Sequence, residues 1–251
     1  MFPSRELIQI GFLASLAAGL ATGAGALPVL FTRQVSERVF DVMLGFAAGV
    51  MLAATAFGLL IPAIELGGIW IVVLGTIMGG LFLHLADRFV PHFHFISGPE
   101  GPSSKLSHTW LLILAITIHN FPEGLAVGVS FAGGDMGAGA ALAIGIGLQN
   151  IPEGLAVALP LIREKYSRRK ALWYATLTGL VEPIGGLLGV SLFSLARPLL
   201  PLGLSFAGGA MLFVVCDELI PESHRKGHER AATFGLIAGF VVMMVLDTVL
   251  A

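Results

Sequence analysis

Three glutamates, Glu123, Glu153 and Glu182, stand in the middle of long apolar runs. Two of them belong to matching hexapeptides, His119-Asn120-Phe121-Pro122-Glu123-Gly124 and Gln149-Asn150-Ile151-Pro152-Glu153-Gly154. Residues three and four apart on a helix share a face. His119, Asn120 and Glu123 therefore converge on one side of their helix, and Gln149, Asn150 and Glu153 do the same on theirs. Imidazole and carboxylate donors suit Zn, Fe, Mn or Cd, whereas Ca and Mg prefer all-oxygen cages. Zinc comes first because it accepts mixed nitrogen and oxygen ligands without redox demands. Pro122 and Pro152 each remove an amide donor and free a carbonyl one turn earlier, and Gly124 and Gly154 permit close helix approach. Met51, midway along the second apolar run, can add a thioether, although core packing explains a methionine there at least as well.

A charged side chain at the bilayer centre costs about 2.5–3.5 kcal/mol on insertion scales, so three unpaired carboxylates would cost on the order of 8–10 kcal/mol. No Lys or Arg lies deep in any apolar run. The compensating charge must come from outside the chain, as protons or a metal ion. One glutamate alone could be a protonated packing residue, and one histidine could cap a neighbour's carbonyl. Convergence of His119, Glu123, Glu153 and Glu182 at one depth points to a site.

The elements that position these groups follow from composition. The chain has 251 residues, 56% hydrophobic and only 12% charged, with a mean hydropathy of +0.89; soluble domains carry about 25% charged residues. Runs of about 20 apolar residues read as bilayer spans, and there are eight: 7–31, 42–64, 69–90, 109–131, 138–161, 171–194, 200–220 and 231–250. The expected fold is all-α and integral to the membrane, one transmembrane domain over 1–251. The first run ends in Gly25-Ala26-Leu27-Pro28, like a signal peptide. Its leading region is barely basic and its apolar stretch too long for a signal core, so it reads as a helix. Cys216 is the single cysteine, which excludes an internal disulfide framework and a cysteine-built metal site. No stretch reads as a nucleic-acid-binding patch, so no nucleic-acid partner is expected.

Charge placement sets the expected orientation. Of the 14 Lys and Arg, 12 fall after spans one, three, five and seven, and only Arg5 and Arg197 fall on the other side. The positive-inside rule then puts both termini outside and the 91–108 connection in the cytoplasm.

The chain also repeats itself. Phe46–Leu52 matches Phe206–Leu212 at five of seven positions with an offset of 160. The same offset superposes Gly19 on Gly179, Gly25 on Gly185, Gly75 on Gly235, Gly79 on Gly239 and Asp87 on Asp247. Helices 1–3 thus recur as helices 6–8, upside down because an odd number of spans separates equivalents. The two hexapeptides make helices 4 and 5 a further antiparallel pair. The expected plan is 3+2+3 with inverted repeats, an architecture that places a transporter's substrate site near the midplane. Small-residue packing alone could account for the glycines. It does not account for one offset shared by three helix pairs.

Topology assigns the remaining polar groups to sides. Glu65 falls at the outer end of span two, a candidate entrance. His84, Asp217, Glu218, His92, His94 and His224 lie toward the inner side as a candidate exit path. Asp87, Glu222 and His228 read equally well as solvated helix ends. The segment 97–108, with its Gly, Pro and Ser residues, is expected to be flexible.

The paired His-Asn-x-Pro-Glu-Gly and Gln-Asn-x-Pro-Glu-Gly motifs resemble those of the ZIP (Zrt/Irt-like) metal transporters, in particular the bacterial GufA-like branch, and the resemblance runs over essentially the whole chain. It implies a multi-pass protein of the plasma (inner) membrane that moves zinc toward the cytoplasm by alternating access. It further implies a two-metal centre bridged by Glu123 and Glu153 and completed by His119, Asn120, Gln149, Asn150, Glu182 and Met51. Helices 1, 4, 5 and 6 would slide against helices 2, 3, 7 and 8. The chain departs from the family pattern in having Gln149 and Asn150, where many relatives have His-Glu-x-x-His in helix 5 or an Asp at position 150. Zn2+, with Cd2+, Fe2+ and Mn2+ as alternatives, is expected as cargo, with no catalytic cofactor. The other partner is the lipid bilayer, and the oligomeric state is open between monomer and homodimer. The competing reading is an intramembrane zinc-dependent hydrolase, which shares buried His and Glu ligands but does not need inverted repeats.

Overall fold

The computed structural model describes residues 4–32, 34–94 and 98–251, so Arg33 lies outside the described residues. Among the described residues, eight helices are long and apolar enough to cross a membrane: α1 (Arg5–Leu30), α2 (Glu37–Gly67), α3 (Ile69–Phe89), α4 (His108–Ala132), α5 (Met136–Arg163), α6 (Arg168–Leu195), α7 (Arg197–Ser223) and α8 (Glu229–Leu250). They coincide with the apolar runs to within a few residues. Side chains cap the starts of α5 and α6, whereas Ser36 and Ser107 precede α2 and α4 without a capping bond. Asp135 accepts from the backbone N–H groups of Gly137 (2.9 Å) and Ala138 (3.0 Å) at the start of α5. Ser167 accepts from Lys170 N–H at the start of α6. Both satisfy donors that a helix start would otherwise leave orphaned.

The helices pair selectively. The most extensive contacts join α2 to α8, α3 to α7, α1 to α5, and α4 to the second half of α6. Exchanging helices 1–3 with 6–8, and 4 with 5, maps this set of pairs onto itself. The motif helices α4 and α5 occupy the centre, whereas α3 and α8 present rows of exposed apolar side chains, among them Trp70, Leu74 and Ile77 on one and Phe234, Ile237 and Val241 on the other. In a membrane such rows face lipid.

Three helices depart from the uninterrupted spans the sequence suggests. Span 171–194 reads as a single run, yet helical structure stops at Gly179 and resumes at Glu182. Pro183 has no N–H and its ring crowds the carbonyl four residues earlier, so the helix cannot continue through it. The other two are wide π turns, Ala54–Leu60 in α2 and Val215–Leu219 in α7. Each runs up to a proline near its end, Pro62 and Pro221. There Ile61 and Ile220 bond to the carbonyl five residues back. Such turns recur at functional sites.

The 90–107 connection is not wholly irregular. His92–His94 pairs antiparallel with Gly98–Glu100, with Phe93 opposite Pro99. Part of the segment expected to be flexible is therefore the second strand of a small hairpin. The side chains of this hairpin, including those of His92 and His94, lie outside the described set.

Candidate metal centre

Helices α4 and α5 run side by side and bring the two hexapeptides together. Gln149 Nε2 on α5 donates to Glu123 Oε1 on α4 at 2.7 Å. Asn150 Nδ2 donates to Glu182 Oε1 at 2.7 Å and to the Ala18 carbonyl of α1 at 2.8 Å. Glu182 is the first residue of the second half of α6. The break thus aims a helix N-terminus at the site, and the partial positive charge there favours a carboxylate. The motif glycines make the approach possible. A Cβ on Gly124 would strike the backbone of Glu182, and one on Gly154 would strike the backbone of Thr22. Positions 22 and 182 are themselves separated by the repeat offset of 160.

His119, Asn120, Glu123, Gln149, Asn150, Glu153 and Glu182 are all buried. Among the described residues, several of their polar atoms have no hydrogen-bond partner: both amide atoms of Asn120, Oε2 of Glu123, Oε1 of Gln149, Oδ1 of Asn150, Oε2 of Glu182 and Nε2 of His119. A buried polar atom left so costs about 1–3 kcal/mol. Most are acceptors, gathered on three adjoining helices without a Lys or Arg among them. This donor set fits a divalent cation with nitrogen and oxygen preferences. Among the described residues no three His, Cys, Asp or Glu side chains already stand in ligating positions. Gln149 holds Glu123, Asn150 holds Glu182, and His119 is turned elsewhere, so an incoming ion must exchange these contacts for its own.

His119 is turned toward α7 and α3. Its Nδ1 lies 3.0 Å from Glu218 Oε2, and its Nε2 lies 4.0 Å from Asp87 Oδ1. Sequence reasoning placed Glu218 farther along an exit path; it reaches the central histidine itself. Asp87, which read equally well as a solvated helix end, is buried beside that histidine. The π turn carrying Asp217 and Glu218 has no recognisable sequence pattern beyond the following proline.

A cavity of about 420 Å³ leads away from the site. His119, Glu153 and Glu218 line its inner end, and Glu37, Arg163, Asp217, Glu222, Arg225 and Lys226 line the rest toward the face that bears the basic loops. The other candidates lie apart from it. His84 is exposed, with its ring edge-on to Phe213 at 6.4 Å. His224 is held by the Ile220 carbonyl, Ser223 and Thr233 and does not line the cavity. His228 binds buried Asp41 at 2.9 Å, tying the start of α8 to α2. Glu222 pairs with Arg225 at 3.1 Å. Met51 is fully buried in the main apolar cluster, and Glu65 is exposed near the far end of α2.

Comparison with known proteins gives a consistent set of relatives. Residues 98–247 match the family described as ZIP Zinc transporter. The chain is 49% identical to Zinc transporter GufA of Myxococcus xanthus, with 94% of this chain and 97% of that protein aligned. It is 44% identical to Zinc transporter ZIPB of Bordetella bronchiseptica, over 97% of this chain and 82% of that protein. It is 38% identical to human Zinc transporter ZIP11, over 90% and 93% respectively.

Proposed function

The chain belongs to the ZIP family, and from that premise we propose that it carries Zn2+ across the plasma (inner) membrane into the cytoplasm through the site between α4, α5 and α6. It is a divalent-metal transporter and not an enzyme, so the intramembrane hydrolase reading falls away. The observation that carries the rest is the buried group of unpartnered acceptors on Asn120, Glu123, Gln149, Asn150 and Glu182, whose motif neighbours His119 and Glu153 line a cavity reaching toward the basic loops.

The proposed steps use this chain's own side chains. Zn2+ arriving from the outer side, past Glu65, displaces the amide donors of Gln149 and Asn150 from Glu123 and Glu182. Two adjacent positions result. One is held by His119, Glu123 and Glu153, with Met51 as an added donor. The other is held by Asn120, Asn150, Gln149 and Glu182 and shares the two bridging glutamates. Movement of α1, α4, α5 and α6 against α2, α3, α7 and α8 opens the site inward. His119 then turns to Glu218 and Asp87 and passes the ion toward Asp217 and the cavity mouth. The paired helix contacts and the matching glycine approaches support an inverted-repeat origin for this movement.

Purified protein sealed into liposomes should accumulate external Zn2+ when an internal chelating dye reports entry. Cd2+ should compete, and Ca2+ and Mg2+ should not. A protein that binds Zn2+ in detergent but shows no flux above empty liposomes would overturn the transport assignment. Orientation has its own test. Cysteines at Ser36, Ser103 and Ser167, each in an exposed loop of the basic face, should react with an impermeant maleimide only after cells are opened. Labelling of any of them in intact cells would reverse the proposed direction.

A further inference from the structure

We propose that the α5–α6 loop and the first turn of α6 bind the headgroups of anionic phospholipids in the leaflet on the basic face. Within residues 163–170 stand Arg163, Lys165, Arg168, Arg169 and Lys170, against one acid, Glu164. Among the described residues none of the five bases forms an ion pair. Glu164 accepts instead from Ser107. Arg168 donates to the Leu30 carbonyl at 2.8 Å, and Lys165, Arg169 and Lys170 project from an exposed surface. Two bases elsewhere on the same face are engaged: Arg225 pairs with Glu222, and Lys226 lies 5.3 Å over the Phe40 ring. The positive charge of this loop is therefore concentrated and uncompensated.

Its position compounds the effect. Arg168, Arg169 and Lys170 occupy the first turn of α6 with no acid beside them. A helix N-terminus already carries partial positive charge and prefers anions, so an isolated protein gains nothing from three cations there. Adjacent aromatics fix the depth. Trp110, Tyr166 and Tyr174 interlock edge to face, with centroids 4.9–6.4 Å apart. Trp110 Nε1 donates to the Tyr166 hydroxyl at 3.0 Å, and Trp173 is 59% exposed. Trp and Tyr at helix ends settle at the headgroup level of a bilayer. Lys165, Arg169 and Lys170 thus sit beside the lipid phosphates, and anionic headgroups supply the missing countercharge. The loop joins the helices carrying Glu153 and Glu182, so bound lipid holds the site-bearing helices at the leaflet.

The test uses tryptophan fluorescence in a Trp70→Phe background, which removes the exposed tryptophan at the start of α3 and keeps Trp110 and Trp173. The protein is reconstituted into phosphatidylcholine vesicles doped with brominated phosphatidylglycerol or brominated phosphatidylcholine as quencher. Each Lys or Arg facing an anionic surface contributes roughly a fivefold preference. The expected result is roughly a tenfold or greater preference for phosphatidylglycerol, lost in molar salt. Changing Lys165→Gln, Arg169→Gln and Lys170→Gln together should bring the two quenchers to parity, with helicity by circular dichroism unchanged. Equal quenching of the parent protein by both lipids, or an undiminished preference in the triple variant, would overturn the assignment. So would loss of the preference on adding millimolar inorganic phosphate, which would make this a site for free anions.

Discussion

Glu153→Ala should abolish Zn2+ uptake while leaving a well-folded protein in the membrane. Glu153 lines the cavity beside His119 and is buried, with no hydrogen-bond partner among the described residues to strand. In the proposed site it bridges both ions, so its removal takes charge from each position at once. Loss of groups that merely orient ligands already costs 10–100-fold in metal affinity; loss of a shared ligand should lower uptake by roughly 100-fold or more. The folded state is spared because the carboxylate is expensive to bury, and removing an unpaired buried charge relieves that cost. The metal-free variant should therefore melt no lower than wild type, whereas the upward shift that Zn2+ gives wild type should shrink. Glu123→Gln is the matching change on α4. The Gln form keeps an acceptor for Gln149 Nε2, which Ala would leave unpaired at about 1–3 kcal/mol. Wild-type uptake by a well-expressed Glu153→Ala protein would sink the shared-site proposal.

The spans and the two motifs were legible in the sequence because lipid imposes simple rules. A chain that cannot hydrogen-bond to its surroundings folds into helices of bilayer length, and charge inside them stands out. The break in α6 was not read, although Gly179 and Pro183 mark it, because the apolar run continues through it without interruption. The π turns escaped for a similar reason. They change which residue faces which neighbour without changing composition. Their consequence is the meeting of Glu218 with His119, a contact between α7 and α4 that no spacing within either helix could reveal. Asp87 illustrates the same limit. An aspartate near a helix end looks alike whether water or a neighbouring histidine receives it, and only the packing of α3 against α7, which brings Asp87 to His119, decides.

The amides at Gln149 and Asn150 define how the site behaves without metal, and Asn150→Asp should make stability depend on Zn2+. In the present structure the Asn150 amide donates to Glu182 and to Ala18, and so holds the Glu182 carboxylate in place. Aspartate cannot donate to either acceptor. It sets a second carboxylate at hydrogen-bond distance from the first, in a buried place with no cation from the chain. Breaking a buried polar pair and leaving uncompensated charge costs about 3–5 kcal/mol. The metal-free variant should then melt at least several degrees below wild type, since about 1 kcal/mol shifts a domain of this size by roughly 2–4 °C. Added Zn2+ should reverse the loss, because a cation bridging positions 150 and 182 turns repulsion into ligation. Binding only to the folded state stabilises by about 2.7 kcal/mol at 100 times the dissociation constant. The titration should also show a second equivalent of Zn2+ bound more tightly than in wild type, and flux should slow as the ion is held longer. Calorimetric melting with and without Zn2+, set beside metal stoichiometry and liposome flux, measures all of these on one preparation. If the variant melts as wild type does in both conditions and binds the same number of ions, Asn150 serves only to tie α5 to α1 and takes no part in the second position.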